Sequence, residues 1–358
     1  ATLVLLTRVL LLHPTLLGAS NILAALTQLR HRFVLYSISP LLYNLGIIGG
    51  VVWFAPTHGI VGVGYGVIAG ALLHLAIQLP SILRDRLLPW PTLSFRLSEF
   101  LAVARLSVPR TAALVTNHLV LLILTMFAAR SVEGSVSVLS FAINLQSVPL
   151  AIIGASYSLA AFPTLARHFS RGELDAFMEK TTTALRHIFF WALPISVLFI
   201  VLRAQIVRVV LGTGAFDWSD TRLTAAALAL FAISVLSQSV ALLLIRAFYA
   251  AGETAPPLRG SAVHALSTLL SVAGFSYLFE TSPLWRDFLE SLLRVEGLVG
   301  TDILILPLAY SLGSILSTCT LLFSFRKRFG VGHDLLPAFV QAFSGAIIVG
   351  FASYQFLE

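Results

Sequence analysis

Long apolar stretches, separated by short polar or basic breaks, repeat along the whole chain. They fall at about 3–29, 35–55, 60–80, 107–129, 136–166, 178–203, 223–250, 258–280, 300–325 and 336–357. A membrane-spanning helix needs roughly 20 mainly apolar residues, so the pattern predicts an all-α polytopic membrane protein with about ten transmembrane helices. Two segments depart from it. Over 87–106 the hydropathy drops, Pro89 and Pro91 break the chain, and Leu93, Leu97, Phe100, Leu101 and Ala104 recur at helical spacing beside Arg96 and Arg105. That is the signature of a surface helix joining two bundles. Over 283–295, Trp285, Phe288, Leu289 and Leu292 share one face of a second such helix, on the opposite side of the membrane. Both read as interfacial packing elements.

Polar residues inside the spans mark the interior of the bundle. The stretch 135–167 carries Asn144, Gln146 and Pro149 at its middle. Such a segment is tolerated at bilayer depth only where it faces other protein or a wet cavity, so it is predicted to line an interior pathway. The first span contains Pro14, Gly18 and Asn21, and the second contains Ser39-Pro40 and Asn44. In the third, Gly62, Gly66 and Gly70 stand four residues apart. That spacing lets two helix backbones approach closely. A nucleotide-binding glycine loop is the rival reading, but GVGYG lacks the flanking strand and spacing of that fingerprint.

Composition agrees: the chain is 58% hydrophobic and 11% charged, with a mean hydropathy of +0.92. The formal charge of +7 does not imply nucleic acid, because the basic residues form short groups between spans. Arg30, Arg32, Arg84, Arg86, Arg96, Arg105, Arg167, Arg171, Lys180, Arg186, Arg246, Arg259, Arg326, Lys327 and Arg328 fall on one side, and Arg130, Arg203, Arg208, Arg222, Arg286 and Arg294 on the other. Fifteen against six places the first group in the cytoplasm and both Ala1 and Glu358 outside it. The start has no positive n-region or small-residue cleavage site of a signal peptide. The single cysteine, Cys319, lies within a span. Acidic residues gather in loops, and no Ser-His-Asp set, HExxH or intramembrane carboxylate pair is present. His74 and His264 are isolated within helices, so neither enzyme chemistry nor a metal or cofactor is expected.

A weak internal repeat suggests two bundles. Leu29-Arg30-His31-Arg32-Phe33, followed by Pro40, resembles Ile245-Arg246-Ala247-Phe248-Tyr249, followed by Pro256, with arginine and proline both displaced by 216 residues. Spans one and two would then correspond to seven and eight, as in transporters built from repeated halves. On that offset the spans at 107–203 need counterparts upstream of residue 1, and the chain is expected to be N-terminally incomplete.

A series of motifs runs along the chain in order: P-x-L-L-G-x-S-N at 14–21, R-F at 32–33, S-P-L-L-Y-N-L-G-I-I at 39–48, G-A-L-L-H-L-x-I-Q-L-P at 70–80 and E-G-S-V-S at 133–137. They continue with N-L-Q-S-V-P-L-x-I-I-G at 144–154, F-P-T-L at 162–165, G-x-G-A-F at 212–216 and R-A-F-Y-A at 246–250. Together they resemble the MurJ (MviN) family of lipid II flippases, within the superfamily of multidrug and oligosaccharidyl-lipid exporters. The resemblance implies two lobes, a V-shaped central cavity and alternating access. It divides the chain into the second half of an N-terminal lobe (1–80), a cytoplasmic amphipathic linker (81–106), a C-terminal six-helix lobe (107–330) and an additional helix (331–358). The chain would begin at the family's fourth helix and stop after its thirteenth. It departs from the family where Ala142-Ile143-Asn144-Leu145 replaces Ala-Asp-Arg-Leu, so that an arginine becomes Asn144. Asparagine donates to a phosphate oxygen without charge or fork. Leu124 stands where the family often has an acid or amide, which weakens the case for sodium coupling.

The implied cargo is lipid II, an undecaprenyl-diphosphate muropeptide, carried across the bacterial inner membrane, with cell-wall synthesis proteins as further partners. Arg110, after Pro109, would meet the diphosphate; the competing reading is an arginine that snorkels to lipid headgroups. Asn117, His118, Asn144 and Gln146 would contact substrate or, on the simpler reading, join helices by hydrogen bonds worth ~0.6 to 2 kcal/mol. Arg246 is a candidate with helix-dipole or headgroup contact as its alternative, and Arg8 carries that plainer reading alone. Two other functions compete: a flippase for a different polyprenyl-linked glycan, and a non-transporting membrane scaffold derived from the fold.

Overall fold

The computed structural model describes residues 2–29, 32–85, 97–214, 216–330 and 335–357, and these are helical without a strand. Among the described residues, nine helices are long and apolar enough to cross a membrane, and a tenth is made if Trp218–Ala232 and Val235–Ala250, bent by 43° at their junction, form one span. The ten predicted stretches all coincide with these, and the chain is a multi-pass membrane protein. It divides into two compact units, Ala1–Phe95 and Arg96–Glu358.

The first unit contains α1 (Thr2–Leu10), α2 (Leu12–Leu29), α3 (Phe33–Gly49), α4 (Ala55–His58), α5 (Ile60–Ala76) and α6 (Leu79–Arg84), with π turns at Gly50–Phe54 between α3 and α4. Glycines decide how α3 crosses α5. A Cβ added to Gly66 would lie 2.5 Å from the Gly50 Cα, and Gly46 and Gly70 meet in the same way. The two backbones therefore touch, as the four-residue spacing predicts. A polar seam joins α2 to α5 and α6. Ser20 Oγ lies 2.6 Å from His74 Nδ1, Gln78 Nε2 donates to Ser20 Oγ at 3.1 Å, and Arg32 donates to Ser81 at 2.8 Å and Asp85 at 2.9 Å.

The second unit runs through α7 (Leu97–Ala128), α8 (Ser135–Pro149), π turns at Leu150–Ala155, α9 (Ser156–Ser170), α10 (Leu174–Val201), α11 (Arg203–Leu211), α12 (Trp218–Ala232), α13 (Val235–Ala250), α14 (Ala255–Thr281), α15 (Pro283–Leu293), α16 (Ile305–Phe329) and α17 (Leu336–Gln355). The surface helix predicted over 87–106 is not separate where it is described: residues 97–106 are the first turns of α7, which continues through Pro109. A proline within a span is tolerated when neighbouring groups take up the freed backbone polar atoms. Residues 86–96, with Pro89, Pro91, Leu93 and Arg96, lie outside the described residues. The predicted repeat also looks different in the structure: Pro40 is inside α3, whereas Pro256 occupies the first turn of α14.

Helix α15 has two apolar faces rather than one. Leu289 and Leu293 are buried in the unit's core, while Leu284, Phe288 and Leu292 are exposed. The core itself has two parts. One gathers Leu124, Leu139, Leu228, Leu289 and Leu304; the other gathers Leu165, Phe177, Leu185, Phe248 and Phe325. Polar residues of α7, α8, α13, α14 and α16 meet at the level between them.

Candidate functional site

The polar level is a hydrogen-bonded chain across five helices. His264 of α14 sits at its centre. Its Nδ1 lies 3.3 Å from Asn117 Oδ1 of α7 and its Nε2 lies 3.3 Å from the Ser314 hydroxyl of α16. This pairing suits a neutral ring that donates from Nδ1 and accepts at Nε2. The His264 ring meets Tyr310 edge-on at 4.9 Å. Tyr310 donates to Gln238 Oε1 at 3.3 Å, and Gln238 Nε2 donates to Ser234 Oγ at 2.8 Å. Gln146 Nε2, from α8, reaches the same Ser234 oxygen at 3.4 Å. Asn117, Gln238, Ser261, His264, Tyr310 and Ser314 line a cavity of about 170 Å³.

Ser234 lies at the bend between α12 and α13, where helix carbonyls lose their intrahelical partners. Side chains satisfy them: Ser234 donates to Phe231 O at 2.6 Å, Ser311 to Leu230 O at 2.7 Å, and Thr318 to Ser237 O at 2.8 Å. In a bilayer a broken span persists only with such replacements. The network therefore holds the bend as well as lining the cavity.

A second group lies toward the end of the unit that the charge pattern assigns to the cytoplasm. The Arg110 guanidinium sits over the Tyr249 ring at 5.1 Å from its centroid. Arg246, one turn before Tyr249 on α13, is close enough to Arg110 for the two charges to repel. Among the described residues neither arginine pairs with a carboxylate. Two cations held together without an acid make a site suited to an anion.

Asn144 belongs to neither group. It is exposed on α8 in line with Ser137, Ser140 and Ser147, whereas Gln146, 4% exposed, turns into the core. The sequence candidates thus sort into three places: exposed Asn117 and buried Gln146 at the two ends of the polar chain, Arg110 over Tyr249 with Arg246 nearby, and Asn144 on an uncovered polar stripe. His118 is exposed beside Asn117. Sequence reasoning missed Gln238, Tyr310 and Ser234, although Ser234 and Gln238, four residues apart on one apolar span, carried the same signal as Asn144 and Gln146. Leu124 is fully buried in the apolar core. Among the described residues no three His, Cys, Asp or Glu side chains converge on a metal position.

The family model of the lipid II flippase MurJ matches residues 2–356. A "Probable lipid II flippase MurJ" of Buchnera aphidicola subsp. Acyrthosiphon pisum is 26% identical over 256 residues, 71% of this chain and 50% of that protein. The "Lipid II flippase MurJ" of Burkholderia cenocepacia is 23% identical over 354 residues, 97% of this chain and 64% of its own length. The chain thus spans about half to two thirds of the length of these relatives. Among solved structures, a lipid II flippase MurJ in an inward closed conformation superposes with a TM-score of 0.74 at 18% identity, over 98% of this chain and 68% of that one. An inward-facing multidrug transporter of the MATE family gives 0.69 at 13% identity, over 92% and 71%. The fold is that of this superfamily, and the match along nearly the whole sequence establishes that the chain belongs to the MurJ lipid II flippase family.

Proposed function

We propose that the chain is the greater part of a flippase that moves lipid II, an undecaprenyl-diphosphate muropeptide, across the bacterial inner membrane by alternating access. The observation that carries the reading is the pair Arg110 and Arg246, brought close from two helices, Arg110 over Tyr249, with neither paired to a carboxylate among the described residues. A lipid diphosphate arriving from the cytoplasmic leaflet supplies the missing anion, and charge-assisted bonds to it gain strength near low-dielectric protein. Asn144, on its stripe of serines, offers uncharged donors to the same head group. Asn117 and Gln146 act behind it, fixing the bend of α12 and α13 through the His264 and Gln238 chain.

In this reading residues 1–80 form part of an N-terminal lobe, 81–106 a cytoplasmic linker, 107–330 a six-helix lobe and 331–358 an additional helix. Cell-wall synthesis proteins are its partners, and the chain carries cargo without altering it. The test is complementation. The complete gene encoding this chain is expressed in a bacterium depleted of its own lipid II flippase, and survival is followed together with the leaflet accessibility of lipid II. Rescue by the unaltered gene, and its loss in Arg110→Ala at unchanged membrane insertion, is the expected outcome. Normal flipping by Arg110→Ala would assign that arginine to headgroup contact. Failure of the well-inserted, unaltered protein would point to another polyprenyl-linked glycan or to a scaffold.

A further inference from the structure

A groove of about 680 Å³ runs between α10 and α17, away from the polar chain and the arginine pair. The two helices are parallel: Phe189 packs edge-on against Phe339 at 5.7 Å, and Gly350 lies against Val197 and Val201. Arg186 is therefore level with the start of α17, where the spans meet the cytoplasmic surface. From Arg186 to Leu198 the groove follows twelve residues of helix, about 18 Å at 1.5 Å per residue, close to half the thickness of a bilayer's hydrocarbon core. Its two ends differ in character. Arg186, His187 and Gln341 line the cytoplasmic end; Pro194, Leu198 and Val349 line the deeper end. Phe190 and Trp191 flank it, 59% and 48% exposed. Small residues on α17 give the groove its depth, and a Cβ added to Gly345 would meet nothing within 4 Å.

Arg186 is exposed and has no acidic partner among the described residues. A fixed cation at headgroup level above an apolar trough complements one kind of molecule, a lipid with an anionic head. We propose that this groove holds one acyl chain of an anionic bilayer phospholipid, with its phosphate on Arg186. A basic pocket between spans on the cytoplasmic side is a general way of selecting such lipids. The site is occupied by a lipid of the surrounding membrane and shares no lining residue with the polar cavity.

The probe is phosphatidylglycerol brominated on its acyl chain, added to phosphatidylcholine vesicles holding the full chain with Trp191 as its one tryptophan. Quenching of Trp191 should saturate at a small mole fraction. Arg186→Ala should raise the fraction needed about tenfold, the equivalent of one charge-assisted hydrogen bond, and Arg186→Lys should restore most of the loss. Gly345→Leu, which fills open space, should abolish saturable quenching. Native mass spectrometry of the chain with all its tryptophans should show a retained phosphatidylglycerol that Arg186→Ala loses. Equal quenching by brominated phosphatidylcholine, or curves unmoved by Arg186→Ala, would reduce the groove to ordinary bilayer contact and overturn the proposal. Displacement by undecaprenyl phosphate at a lower mole fraction than by unlabelled phosphatidylglycerol would overturn it too, assigning the groove to an isoprenoid chain.

Discussion

His264 ties three helices together through a single ring, with Asn117 on one nitrogen and Ser314 on the other. Replacing it by Phe keeps the edge-on contact with Tyr310 but leaves both partners without a bond. Ser314 is buried with His264, and removing one side of a buried pair is more damaging than removing both. In denaturation measured in detergent, His264→Phe and Asn117→Leu are expected to be less than additive, with a coupling of ~0.6 kcal/mol that could reach ~2. Full additivity would mean the 3.3 Å contact contributes nothing. Asn117 and Gln146 were legible in the sequence because a polar residue inside an apolar span needs a partner. Who that partner is was not. His264 looked isolated because Asn117 lies 147 residues away and Ser314 lies 50 away, and only packing brings them together.

The crossing of α3 and α5 depends on the absence of side chains. Gly66→Ala would push a methyl to 2.5 Å from the Gly50 Cα, and a backbone cannot yield as a flexible side chain can. Overpacking of this kind is expected to cost ~1 to 3 kcal/mol. Gly18→Ala on exposed helix, with nothing within 4 Å of the new methyl, should instead be neutral or gain ~0.4 to 1 kcal/mol. Thermal melts of the two variants check the contrast, and similar melting would remove the crossing from the list of tight contacts. The glycine spacing on α5 announced this contact. The start of α7 was not announced, because hydropathy records which side chains are wet, whereas helical backbone continues regardless of that change. The second apolar face of α15 was hidden for a related reason: periodicity reveals one dominant stripe, and a helix wedged between protein and bilayer needs two.

For the chain as a whole, the number and order of the spans follow from hydropathy, and their orientation from fifteen basic residues against six. Single cysteines test that orientation once Cys319 is replaced. Ser170→Cys, at the exposed end of α9, should react only with reagent admitted to the cytoplasmic side. Val299→Cys, 77% exposed in the loop after α15, should react from the other side. The opposite labelling would put Arg110 and Arg246 at the external end and remove the entry route for a diphosphate made in the cytoplasm. The span formed by α8, the π turns and α9 passes through both parts of the core. At the ordinary rotation of about 100° per residue, Ser158 and Leu165 would point roughly 180° and 160° away from Pro149, yet all three are buried. The wide turns at Leu150–Ala155 take up about one residue of that rotation, which brings the buried sides of the two halves back toward alignment. They work as a phase correction, and the span cannot gain or lose one residue there without turning one half's packing face out to lipid.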